Sequence, residues 1–125
     1  MSSSYPNKEK LKSKKDIERL FSEGKSIGVY PLRMVYLKCD FTQDTLIKTG
    51  VSVSKRNFKR AVDRNRIKRL LREAYRLNKP ESFNNISSSF TLMILYIGKE
   101  EIDFILIEKK MKKLLETFSK KASLE

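Results

Sequence analysis

The chain contains no histidine and a single cysteine, Cys39. Without histidine, every Ser-His or Cys-His catalytic triad is excluded. One cysteine and no histidine cannot supply the ligands of an ordinary zinc site. A disulfide framework is equally impossible, which suits a reducing compartment. No apolar run approaches the roughly 20 residues of a membrane span. The opening Met1-Ser2-Ser3-Ser4-Tyr5-Pro6 lacks the apolar core of a secretory signal, so the expected location is the cytoplasm. Acids are also scarce, with 15 Asp and Glu against 28 Lys and Arg. The net charge of +13 on 125 residues implies a polyanionic partner. Nucleic acid is the first candidate and an acidic membrane surface the second.

The charge is concentrated. Residues 55–76 hold Lys55, Arg56, Lys59, Arg60, Arg64, Arg66, Lys68, Arg69, Arg72 and Arg76 against only Asp63 and Glu73, a net +8. Most of this segment reads as a helix, because Ile67, Leu70, Leu71, Ala74 and Leu77 recur at spacings of three and four. Arg64, Lys68, Arg72 and Arg76 then stack on another side, with Asn65 and Arg69 beside them. Like charges at i, i+4 repel and weaken an isolated helix. A row of four without interleaved acids points to a bound polyanion, whereas solvated faces usually mix signs.

The other elements are shorter. Residues 1–12 read as a loose basic arm, 13–120 as one domain and 121–125 as a tail. Ser13 followed by Asp16 is a capping signal, with Ile17, Leu20 and Phe21 on the buried side of a short helix that Gly24 ends. Val29 to Phe41 reads as a strand, with Met34 and Tyr36 on one face and Val35, Leu37 and Cys39 on the other. A polar turn, Phe41 to Thr45, leads to a second strand from Leu46 to Ser54. Asn78-Lys79-Pro80 is expected to end the basic helix, and the stretch to Ser89 reads as a polar loop. Phe90 to Ile97 is almost continuously apolar, the pattern of a central strand. Asp103 caps a last helix with Phe104, Ile107, Met111, Leu114, Leu115 and Phe118 as its apolar stripe; its lysine-rich side reads as solvated. Helix, strands, helix, strand, helix make an α+β domain with helices packed over a small sheet.

The string from Val51 to Arg76, VSVSKRNFKRAVDRNRIKRLLREAYR, resembles the signature of the bacterial ribonuclease P protein subunit. Its parts are a strand ending in Val-Ser-Lys-basic, then Ala61-Val62, then Arg64-Asn65-Arg66-Ile67-Lys68-Arg69, then Arg72-Glu73-Ala74-Tyr75-Arg76. Lys15-Asp16 before a helix with Phe21 and Gly24 is similar as well. Two places depart from the family pattern. Asn57-Phe58 stands where Val-Gly or Ile-Gly is usual, and Ile17 where phenylalanine is common.

The resemblance implies an αβββαβα order, a mixed four-stranded sheet and a left-handed βαβ crossover. It implies a ribonucleoprotein endonuclease that removes the 5′ leader of precursor tRNA, with catalysis and the Mg²⁺ ions belonging to the RNA subunit. The partners are then ribonuclease P RNA and precursor tRNA, with neither membrane nor DNA expected. The RNA contacts would be Lys55, Arg56, Lys59, Arg60, Arg64, Asn65, Arg66, Lys68, Arg69, Arg72 and Arg76. Asn65 would fix the helix start or touch RNA. Phe21 and Tyr36 match the family's leader-cleft aromatics, against the plain alternative of core packing. No catalytic or metal-binding residue is expected, since Asp40, Asp44, Asp63 and Glu73 fall on different elements. The rival reading is a non-enzymatic RNA-binding protein, such as a ribosomal protein or assembly factor. A nucleoid DNA binder or a lipid-binding helix also fits the charge.

Overall fold

Ser13 begins the first helix by accepting the Asp16 amide on its Oγ at 3.3 Å, which satisfies one of the free N–H groups of the first turn. The computed structural model describes residues 11, 13–39, 47–82 and 89–122. Helix α1 spans Lys14–Glu23. Gly24 closes it, donating its amide to the Leu20 carbonyl at 2.8 Å. A Cβ here would stand 2.4 Å from that carbonyl oxygen and 2.8 Å from the Val35 Cγ1, so only glycine fits. Leu20 is buried and Ile17 half-buried, but Phe21 points outward and is 50% exposed, contrary to its expected place on the buried side.

Two strands, β1 (Lys25–Val29) and β2 (Leu32–Cys39), follow. The apolar pattern had predicted one strand from Val29. The chain instead reverses at Tyr30-Pro31, whose peptide bond is cis. Pro31 has no N–H for a ladder, so a strand cannot run through the middle of a sheet there. Strand β3 is Ile47–Val53, helix α2 Ala61–Ser82, strand β4 Ser89–Tyr96 and helix α3 Phe104–Ala122. The predicted turn at Phe41 to Thr45 and nearly all of the loop before Ser89 lie outside the described residues.

Helix α2 does not stop at Asn78-Lys79-Pro80 but continues to Ser82. A proline withdraws one helical hydrogen bond, and so close to the helix end that loss stays within the last turn. The buried Asn78 donates from Nδ2 to the Ala74 carbonyl at 2.7 Å and so belongs to the helix rather than to a loop. Leu77, placed by its spacing on the apolar stripe, is 45% exposed; Tyr75 takes the buried position instead. At the other end, Asp103 caps α3 by accepting the Leu106 amide at 2.9 Å.

The sheet order is β1-β2-β4-β3. β2 lies antiparallel to both β1 and β4, while β3 and β4 are parallel, with Thr49 opposite Leu92. A parallel pair needs a crossover, and α2 supplies it. β4 is central and covered on both faces, which accounts for its unbroken apolar sequence.

Helices α2 and α3 cover one face, burying Met34, Tyr36, Phe90, Leu92 and Ile94 against Ile67, Leu71, Met111, Leu115 and Phe118. A smaller cluster on the opposite face joins Leu20 of α1 to Leu11 and Met93, with Val35, Leu37 and Leu95 half-buried beside them. Leu11, read as part of a loose arm, is therefore anchored; its amide also donates to the Thr49 carbonyl at 3.0 Å. The tail boundary moves too, since α3 runs to a buried Ala122.

Candidate nucleic-acid interface

The segment between β3 and α2 is held from two sides. Arg64 donates from Nη1 to the carbonyls of Phe58 and Lys59 at 2.9 and 2.8 Å. Asn57 donates from Nδ2 to the carbonyls of Ile97 and Gly98, both at 3.3 Å. Phe58 is buried and meets Tyr96 edge-on at 5.8 Å. The Asn57-Phe58 pair, unusual for the family, thus ties this segment to the end of β4. With its backbone fixed, the segment presents Lys55, Arg56, Lys59 and Arg60 outward, all exposed.

The ten cations of residues 55–76 divide into three groups. Arg60, Arg66 and Arg76 are paired with acids. Asp63 bridges Arg60 and Arg66, each at 3.0 Å, and Arg66 also makes a two-pronged contact with Glu101 at 2.6 and 2.9 Å. Arg76 pairs with Glu73 at 2.6 Å. The hydrogen bond from Arg60 holds the Asp63 carboxyl below its ordinary pKa, and that from Arg76 does the same for Glu73. Arg66 is pushed up by its hydrogen bonds to Glu101. Arg64 is spent on backbone carbonyls. The remaining six, Lys55, Arg56, Lys59, Lys68, Arg69 and Arg72, have no side-chain partner among the described residues. All but the half-buried Lys68 are exposed.

Unpaired cations in register are an electrostatic footprint for phosphates. Guanidinium groups can grip a phosphate in bidentate fashion, and lysine acts as a point charge. Asn65 is exposed and makes no side-chain hydrogen bond among the described residues, so it does not fix the helix start. It stands between paired Arg66 and anchored Arg64, free to contact a ligand. Glu101 was not legible as a member of this site, because nothing in local spacing links it to Arg66, 35 residues away.

The two aromatics separate. Phe21 is exposed on α1 and is not among the apolar residues that pack between α1 and the sheet. Tyr36 is only 4% exposed and lies on the other face, against Phe90 and Phe118. β2 alternates as its sequence suggests, and Tyr36 lies on the core face. The side chains on the α1 face are Val35 and Leu37, with Leu95 from β4. The assignment of Tyr36 to a leader cleft is corrected accordingly.

Among the described residues, no three acidic or cysteine side chains converge into a metal-holding group. No described helix is long and apolar enough to cross a membrane.

A family model for ribonuclease P matches residues 5–119. The ribonuclease P protein component of Porphyromonas gingivalis is 40% identical over 111 residues, covering 86% of this chain and 80% of that one. That of Dictyoglomus thermophilum is 33% identical over 115 residues, covering 90% of each. The ribonuclease P protein of Thermotoga maritima superposes with a TM-score of 0.70 at 26% identity, over 87% of this chain and 96% of that one. With the α+β fold, the clamped basic segment and these relatives in agreement, the chain belongs to the bacterial ribonuclease P protein family.

Proposed function

We propose that this chain is the protein subunit of a ribonuclease P that removes the 5′ leader of precursor tRNA in the cytoplasm. The observation that carries the reading is the set of six unpaired cations on a clamped segment within the family signature. In this reading Lys55, Arg56, Lys59, Lys68, Arg69 and Arg72 hold phosphates of the catalytic RNA, with Asn65 beside them. Phe21, exposed on α1, meets the unpaired leader in this reading. An exposed aromatic can stack on a base with about 1–3 kcal/mol.

In this reading the Mg²⁺ ions belong to the RNA subunit. The protein then binds and orients, while bond cleavage belongs to the RNA. The test is to add the protein to bacterial ribonuclease P RNA at low Mg²⁺ and measure precursor tRNA cleavage. Stimulation is expected. Tight RNA binding without stimulation would favour a ribosomal or assembly role instead.

A further inference from the structure

At the end of the sheet where Leu32 pairs with Tyr96, the β1–β2 turn faces the start of α3 across a recess of about 440 Å³. That volume is within the range of small-ligand sites, roughly 300–1,000 Å³. Its chemistry is specific. Pro31, Ile102 and Leu106 give apolar lining, and Tyr30 stands at the turn, 66% exposed. Tyr30 makes no side-chain hydrogen bond or ring stack among the described residues. Lys99 and Lys110 also line the recess, and neither has a partner among the described residues. Glu100 is there as well, leaving a net charge of +1 from these three side chains. Gly98 keeps the recess wall thin, since a Cβ there would stand 2.8 Å from the Pro31 Cβ.

We propose that this recess binds one unpaired nucleotide of RNA, its base against Tyr30 and the apolar lining and its phosphate on Lys99 and Lys110. The pairing of an unstacked aromatic with free lysines is the chemistry that takes a single-stranded nucleotide. The loop that lines the recess is also hydrogen-bonded to the basic segment. Asn57 joins the β3–α2 segment to the carbonyls of Ile97 and Gly98, and Glu101 joins the same loop to Arg66 of α2. The proposal extends the RNA-binding reading to a second place and rests on it for its biological meaning. The binding chemistry of the recess can be tested alone.

Isotopically labelled full-length chain is titrated with adenosine monophosphate and followed by amide chemical shifts. The shifts of Tyr30, Gly98, Lys99 and Leu106 should saturate together. Inorganic phosphate at equal concentration should not reproduce them; if it does, the recess is an anion contact and the proposal falls. Tyr30→Ala should weaken the nucleotide by roughly 5- to 100-fold, and Tyr30→Trp should retain it. The double variant Lys99→Gln, Lys110→Gln should weaken the nucleotide while leaving adenosine, which has no phosphate, unchanged. Nucleotide affinity within twofold of wild type in Tyr30→Ala overturns the proposal, as does equal loss of adenosine and its monophosphate in the lysine variant. A chain that stimulates ribonuclease P RNA yet shows no saturating shifts in the recess sinks this inference alone. One that binds the nucleotide here but stimulates nothing sinks the functional reading and leaves the site standing.

Discussion

The ring of Tyr36 meets the ring of Phe118 edge-on, with centroids 5.3 Å apart and planes at 72°. Phe90 touches both, 6.3 Å from Tyr36 and 5.2 Å from Phe118. This triangle joins β2, β4 and α3, so it fastens the C-terminal helix to the middle of the sheet. Edge-to-face aromatic pairs add about 0.5–1.5 kcal/mol beyond the area they bury.

Tyr36→Ala should therefore act on stability rather than on recognition. Truncating a buried aromatic ring costs about 3–5 kcal/mol. Denaturant unfolding should show that loss, and the remaining folded protein should bind precursor and mature tRNA in wild-type proportion. Selective loss of precursor binding in a stable variant would return Tyr36 to the cleft.

Salt dependence separates the free cations from the paired ones. Six phosphate contacts predict that log K for ribonuclease P RNA falls against log salt with a slope of roughly −4 to −5. Arg69→Ala or Arg72→Ala should each flatten the slope by about one unit. Arg76→Ala should change it less, because Glu73 already occupies that guanidinium. Arg64→Ala should lower affinity through the β3–α2 segment it anchors, and its unfolding temperature should fall with it. A slope flattened as much by Arg76→Ala as by Arg69→Ala would mean that the Glu73 pair opens when RNA binds.

Much of this organisation was readable from the chain, and the failures have physical causes. Ser13, Gly24 and Asp103 announced helix ends because capping is local chemistry. The apolar run of β4 announced a doubly covered strand for the same reason. For Tyr36, alternation fixed which residues share a face but could not say which face a helix covers; that depends on where α1 and α3 pack. The sorting of cations was hidden as well. Asp63 and Glu73 each lie three residues from the arginines they pair with, but Glu101 reaches Arg66 only through the fold. Asn57-Phe58 looked like a departure from a pattern, and only the contacts with Ile97, Gly98 and Tyr96 give it a role.

That role gives a prediction of its own. Phe58→Ala leaves a cavity beside Tyr96 and should cost about 3 kcal/mol. The loss should be accompanied by loosening of residues 54–60, visible as faster amide exchange at Phe58, whose N–H is bonded to the Ser54 carbonyl at 3.1 Å. Unchanged exchange there would show that Arg64 and Asn57 suffice to hold the segment.

Acid should weaken the ion pairs of α2. Asp63 and Glu73 both have lowered pKa values in the folded chain, so the folded state favours their ionised forms. Their contribution to stability is complete above the ordinary carboxylate values, near pH 4, and is lost as pH falls through the lower folded values. Both pairs are accessible to water, so the effect is modest. Unfolding measured between pH 6 and pH 2.5 should fall less steeply in an Asp63→Asn, Glu73→Gln variant than in wild type. Identical slopes would assign the acid sensitivity to other carboxylates.

Phe21 carries the last prediction, and it bears on leader recognition. The residue is half exposed on α1, so its ring contributes little to the core, while Leu20 beside it is fully buried. Phe21→Ala should therefore leave unfolding nearly unchanged, whereas Leu20→Ala should cost about 2–5 kcal/mol. If Phe21 stacks on an unpaired leader base, its removal should weaken holoenzyme binding of precursor tRNA by about 1–3 kcal/mol. Mature tRNA lacks the leader, so its binding should not change. Assembly with the RNA subunit should also be preserved, because the six cations assigned to the catalytic RNA lie on α2 and the segment before it rather than on α1. The comparison needs precursor and mature tRNA measured with the same holoenzyme preparation at one salt concentration, since the phosphate contribution varies steeply with salt. Loss of both substrates in equal measure would place Phe21 outside the leader path.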